Sequence, residues 1–180
     1  MDYGFGRNNT RNSSWLGDDP AYRFDENGVY SNAEFYNKTF NVYQEITGLP
    51  KGTYMVKVQG YYRDGFSGDA AARHESGAEN LNAVLYAVGK TSASAPLKSI
   101  FDADLANMTT TGAYSETSLG RVPNDMTAAN YAFAAGMYEG ISAIVSVGSD
   151  GKLTIGIKQE TAGANGNWTI FDNFELYYLG

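Results

Sequence analysis

Alternation of apolar and polar positions is the dominant pattern along this chain. Phe40, Val42, Gln44 and Ile46 alternate with Asn41, Tyr43 and Glu45, which predicts a strand over 40–46. The turn Gly48-Leu-Pro-Lys-Gly52 follows, and Thr53–Arg63 returns as the most regular strand of the sequence. One of its faces carries Tyr54, Val56, Val58, Gly60 and Tyr62 and is core-like. The other carries Met55, Lys57, Gln59, Tyr61 and Arg63, a set suited to solvent or a ligand. Leu81–Val88 reads as a strand and Lys98–Leu105 as a less regular one. Ile141–Val147 and Lys152–Glu160 flank Gly148-Ser-Asp-Gly151, a hairpin signal. In residues 1–32 turn chemistry dominates, with short strands predicted near Ser14–Leu16 and Ala21–Phe24. Helical spacing is legible once, in the Ala-rich Met126–Met137, which Asn124 or Asp125 could cap. Asp64–Asn80 and Thr109–Asp125 read as polar loops, the first holding His74.

The chain is organised around its last strand, Trp168–Tyr178. With period two, Trp168, Ile170, Asp172, Phe174, Leu176 and Tyr178 share one face, and Thr169, Phe171, Asn173, Glu175 and Tyr177 the other. Asp172 is the anomaly of an otherwise apolar face. A carboxylate there must be paired, hydrogen-bonded or bound to a cation, because burying it alone costs too much. Two plainer readings stand beside the cation: acceptance of backbone hydrogen bonds at a strand end, or a bulge that turns the side chain to solvent.

About eight strands with regular turns, one short helix, no internal repeat and no linker predict an all-β antiparallel sandwich or jelly roll. The 180 residues are expected to form one domain spanning 1–180. Composition agrees: 14 Tyr, 9 Phe, 2 Trp and 21 Gly with only 18% charged residues suit a turn-rich β domain. A formal charge of -7 leaves no basic stripe for nucleic acid, and no apolar run approaches the length of a membrane helix. The absence of cysteine excludes disulfides, thiol catalysis and cysteine-based zinc sites. No leader peptide is legible, and Met1 followed directly by polar sequence reads as the start of an excised piece. The fragment Gly4-Phe-Gly6 follows no strand and opens no helix, so it is not read as a dinucleotide loop.

Catalysis finds little support. A single imidazole, His74, cannot build a multi-histidine metal site, and no nucleophile-elbow motif surrounds it, so it reads as a surface histidine. Neighbouring acids such as Asp18 and Asp19, Asp25 and Glu26, or Asp102 and Asp104 are available for glycoside hydrolysis, but spacing does not place two of them across one bond. Sugar binding fits the inventory better. Pyranose rings offer apolar faces to aromatic side chains and hydroxyls to amides, Arg and Asp. The candidate aromatics outside the predicted core are Trp15, Tyr22, Tyr43 and Tyr61, with Trp168 either in the core or at the rim. Gln59, Arg63, Asp64, Asn165 and Asn167 are the candidate polar contacts.

Gln44-Glu-Ile-Thr-Gly-Leu-Pro-Lys-Gly-Thr-Tyr54 with Val56 and Val58 resembles the signature of jelly-roll carbohydrate-binding modules of the galactose-binding-like superfold, the family four, nine and twenty-two group. Ala33–Phe40, Gln59–Arg63 and Trp168–Leu176 are similar to modules of secreted Bacteroidetes polysaccharide-degrading proteins, and the likeness spans most of residues 33–178. The resemblance implies a two-sheet jelly roll. It implies a structural Ca²⁺ held in part by Asp172, for which hard oxygen ligands are suited. It also implies non-catalytic binding of a plant-type β-glycan (β-glucan, xylan or mannan) that keeps a covalently appended enzyme near its polymer, in a secreted or cell-surface bacterial protein. The Asn-Pro-x-Phe-Glu opening strand of such modules, whose Glu joins the calcium site, is absent. The site is expected on a sheet face or among the loops at one edge, and Tyr61, Arg63 and Trp15 lead the expected contacts. The alternative is a protein-interaction or adhesion domain on the same fold.

Overall fold

The computed structural model describes residues 14–24, 31–103, 105–108 and 111–180. In chain order the elements are β1 (Trp15–Gly17), β2 (Ala21–Phe24), β3 (Ser31–Tyr36), β4 (Phe40–Ile46), β5 (Gly52–Arg63), α1 (Ser67–Ser76), β6 (Val84–Val88), β7 (Ser92–Pro96) and β8 (Lys98–Ser99). Then follow β9 (Tyr114–Thr117), β10 (Gly120–Pro123), α2 (Met126–Ala134), β11 (Ile141–Val147), β12 (Leu153–Gln159) and β13 (Trp168–Tyr178). They make an antiparallel β-sandwich of jelly-roll type. One sheet runs β1-β4-β12-β6-β7 and the other β11-β5-β13-β3-β2, with β8 added in parallel to β5. A separate hairpin pairs β9 with β10.

The period-two faces explain why the two sheets pack. Val42 and Phe40 of β4, Val56, Val58 and Tyr62 of β5, and Ile155 and Ile157 of β12 meet in the space between the sheets. Phe35 stacks on Phe40 with ring centroids 3.8 Å apart. Each such side chain contributes about 1.5–3 kcal/mol on burial, which is what holds two otherwise half-polar sheets face to face.

Several expectations change here. Trp15 was expected outside the core; it is 1% exposed and lies against Phe174 between the sheets. The polar stretch Asp64–Asn80 contains α1, so the described residues hold two helices rather than one. Its Ala-rich centre favours helix, and Gly77 ends it in the left-handed region, donating to the His74 carbonyl. Lys98–Leu105 is a strand only over its first two residues, and Thr109–Asp125 holds the β9–β10 hairpin. In β13 the two-face reading fails at Asn173. Asp172 pairs with Gln59 and Glu175 with Lys57, so two residues of β13 face one of β5. Asn173 takes φ 55, a conformation asparagine tolerates, and its amide donates to the Gln59 side chain at 2.7 Å. Consequently Trp168 and Ile170 face one way and Phe171 and Phe174 the other. Asp172, placed on the Trp168–Ile170 side by its parity, is 5% exposed, so the bulge does not turn it to solvent.

A third layer covers part of the outer face of the β5–β13 sheet. Tyr61, Trp168 and Ile170 form a second core with Ile100, Leu105, Val122, Met126, Phe133 and Tyr138. Helix α2 begins where the Asp125 side chain accepts from the Ala128 amide at 2.7 Å. Two sheet amides then fix it. Asn32 donates to the Met126 carbonyl at 2.8 Å and to Asn130 at 2.7 Å, while Gln59 donates to the carbonyls of Phe133 and Met137 at 2.9 and 2.6 Å.

Candidate functional site

Where that third layer stops, the sheet face opens into a cleft of about 560 Å³ lined by Glu34, Tyr36, Arg63, Phe66, Asn124, Asp125, Met126 and Trp168. The volume is typical of a small-ligand site. Strand register builds its floor. Tyr36 of β3, Trp168 of β13 and Arg63 of β5 are direct cross-strand neighbours, and Glu34 lies one pleat inward on β3, beside Ile170 and Tyr61.

Arg63 organises the floor. Its guanidinium lies 5.0 Å from the centre of the Trp168 ring, a cation–π contact, and is only 5% exposed. Its Nε donates to the Gly65 carbonyl at 2.9 Å, Nη1 to Asn124 at 2.9 Å and Ser67 at 3.3 Å, and Nη2 to the Gly166 carbonyl at 3.2 Å. Burial pulls the Arg63 pKa below its ordinary value, and nearby Tyr61, Tyr36 and Glu34 act in the opposite direction. The indole of Trp168 donates to the Glu34 carboxylate. Trp168 is therefore held on both sides, with its ring 3% exposed.

The walls are what a ligand would meet. Tyr36 is 47% exposed and Phe66 48%, high values for aromatic side chains. The Phe66 ring rests on Gly166, where a Cβ would come within 2.8 Å of it, so no larger residue fits beneath. Glu34, Asn124 and Asp125 line the same cleft, with the Asn124 side-chain oxygen already accepting from Arg63.

Two of the sequence candidates, Arg63 and Trp168, line this cleft, and the other described candidates do not. Tyr61 is 0% exposed beneath α2, its phenol pKa raised well above the usual value chiefly by burial. The face it shares was expected to meet solvent or ligand; α2 and Tyr138 cover its Gln59–Tyr61 part, while Met55 and Lys57 stay half-buried. Gln59 is consumed in fixing α2. Asp64 is 1% exposed, accepting from the Asn80 amide at 3.0 Å with Arg73 at 3.6 Å. Asn167 is 2% exposed and bonds Asn37, Ala164 and Gln159. Asn165 stays exposed on the loop behind Gly166, bonded to Asn37. Tyr43 is half-buried on the outer face of the other sheet, beside Gly156. The Tyr22 side chain lies outside the described residues, as do Gly4-Phe-Gly6, Asp25, Glu26 and Asp104.

Tyr36, Phe66, Glu34, Asn124 and Asp125 were not singled out as site residues from sequence. Phe66 carried a signal: an aromatic inside Asp64-Gly-Phe-Ser-Gly68 has no periodic partner to bury it. Tyr36 carried none, because only the neighbouring strands decide which end of β3 is uncovered.

His74 is partnered rather than free on the surface. Its Nδ1 lies 2.7 Å from Glu79 and 3.3 Å from the Ser99 hydroxyl, which itself donates to Glu79 at 2.6 Å. Acid and hydroxyl share one ring nitrogen, and Ser99 is 2% exposed, so this is not the relay of a serine nucleophile. Among the described residues no three His, Asp or Glu side chains gather as metal ligands.

No protein-family model matches this chain, and no curated protein matches it. Among solved structures it is similar to that of TmCBM61 in complex with beta-1,4-galactotriose, with 14% identity and a TM-score of 0.47, over 92% of this chain and 89% of that one. The reading of the cleft rests on its own residues.

Proposed function

We propose that this chain is a non-catalytic carbohydrate-binding module whose site is the cleft at the end of β3, β13 and β5. One observation carries the proposal. Two aromatic rings, Tyr36 and Phe66, each nearly half exposed, line a cleft whose other open groups are the carboxylates of Glu34 and Asp125 and the amide of Asn124. Aromatic faces suit the C–H faces of a pyranose, and Glu34, Asn124 and Asp125 suit its hydroxyls. The proposed ligand is a plant-type β-glycan, of the β-glucan, xylan or mannan class, and the proposed role is to hold an appended enzyme at that polymer outside the cell. Affinity is expected to be modest, since ordering a flexible sugar offsets much of what each stacked ring contributes.

Affinity electrophoresis in gels cast with soluble polysaccharides tests this. Selective retardation in a β-glycan that disappears in Tyr36→Ala and Phe66→Ala, both still folded, is the expected result. No retardation across the panel, together with no binding of the matching oligosaccharides, by a folded protein would shift the reading to a protein-docking domain. The outer-face row Ile144–Met55–Tyr177, with Ile144 56% and Tyr177 41% exposed, is the surface then to examine. A structural Ca²⁺ at Asp172 is a separate part of the proposal. Its expected signature is a melting temperature that falls in EDTA and recovers with added Ca²⁺. An unchanged melting temperature removes the cation and leaves the cleft untouched.

A further inference from the structure

We infer that the cleft is blind and takes the end of a glycan chain, not an internal stretch; this rests on the carbohydrate reading of the same cleft. Exposure falls along the strands inward from the mouth. On the outer face of β3, Tyr36 is 47% exposed, Glu34 is half-buried, and Asn32 is 0% exposed where it fixes α2. On β13 and β5 the floor passes from Trp168 and Arg63 to Ile170 and Tyr61, both fully buried. The inner end is thus closed by the packed second core rather than by a side chain that could swing aside. Met126, in the first turn of α2, is 9% exposed and stands at that end. Among the described residues the remaining walls are that first turn and Phe66, seated on Gly166.

A groove that binds the interior of a polymer needs two exits, because the chain must continue in both directions. Running along these strands, a sugar chain entering past Tyr36 meets Met126 and the Asn32 anchor and cannot continue. A terminal unit can seat its ring against Tyr36 or Phe66 and direct its hydroxyls to Glu34 and Asp125. Each carboxylate spends one oxygen on a protein donor, Trp168 and Ala128 respectively, and keeps acceptor capacity on the other.

Calorimetric titration of the intact chain with linear β-1,4-linked oligosaccharides of glucose, xylose and mannose provides the test. For the sugar that binds, the trisaccharide and hexasaccharide are expected to agree in Kd within about twofold, with one protein per chain. Partial hydrolysis of the matching linear polymer should raise the amount of protein bound per unit mass, because it creates ends. A hexasaccharide that binds more than about tenfold tighter than the trisaccharide would overturn the inference. Protein bound per unit mass that stays constant as the polymer is shortened would overturn it equally. End-dependent binding that survives both Tyr36→Ala and Phe66→Ala would also overturn it, by moving the site elsewhere. Absence of binding to every oligosaccharide and polymer is a different failure, that of the carbohydrate reading itself.

Discussion

Tyr36, Trp15 and Tyr61 are all large aromatics on strands, and their fates differ by what lies above each. Trp15 meets Phe174 between the sheets, Tyr61 lies under α2, and Tyr36 projects beyond the edge of that cover. Substituting them should separate binding from stability. Tyr36→Ala is expected to weaken glycan binding about tenfold, as loss of a central contact does, while changing stability by no more than about 0.5 kcal/mol. Trp15→Ala and Tyr61→Ala should each cost about 3–5 kcal/mol in urea unfolding, because each opens a cavity in a closed core. If Trp15→Ala unfolded no earlier than the parent protein, the placement of that side chain would be wrong. Arg63 is intermediate: it touches the cleft but spends its donors on Gly65, Ser67, Asn124 and Gly166. Arg63→Ala should therefore lower stability and binding together.

At the scale of elements, α2 and the β13 bulge make the site. The bulge reverses which β13 residues face which core, so Trp168 can join the outer layer while Phe171 and Phe174 stay between the sheets. Helix α2 ends the cleft because Asn32 holds its first turn. Asn32→Ala strands the Met126 carbonyl and the Asn130 amide, which should cost about 1–3 kcal/mol. Slippage of the wall should also blunt the preference for chain ends, measurable as a changed trisaccharide-to-hexasaccharide ratio. The α2 segment was legible in its Ala-rich spacing and its Asp125 cap. Helix α1 was not, because its polar residues mask a short Ala-Ala-Ala centre, and the element it packs near, β9, lies far along the chain.

For the whole molecule, tyrosine burial sets the response to alkali. Tyr62 and Tyr86 have pKa values raised to about 12, with burial the largest cause, and burial also raises those of Tyr61 and Tyr138. The unfolded chain loses these phenolic protons near pH 10, whereas the folded chain keeps them. The native state then binds more protons, so stability falls as pH rises through the interval from 10 to about 12 and is fully present below it. Urea midpoints measured from pH 7 to 12 should be unaffected by these phenols up to about pH 9.5 and decline above pH 10. Tyr86→Phe should shallow that decline.

The sequence by itself determined the alternating strands, the sandwich they form and the position of α2, because period-two burial, turn residues and a cap are local facts. It also brought Arg63 and Trp168 forward as binding candidates. It could not say which outward-facing residues remain outward, since that depends on a third layer contributed by α2 and by Ile100, Leu105, Val122 and Tyr138. Nor could it foresee that two consecutive β13 residues, Asn173 and Phe174, would stand opposite the single residue Val58. Only tertiary packing decided that Tyr61 is sealed, that Tyr36 and Phe66 face open space, and that the cleft stops at Met126. The physical reason is that a strand's faces are fixed by its own residues, whereas the covering of a face is fixed by whatever the rest of the chain lays upon it.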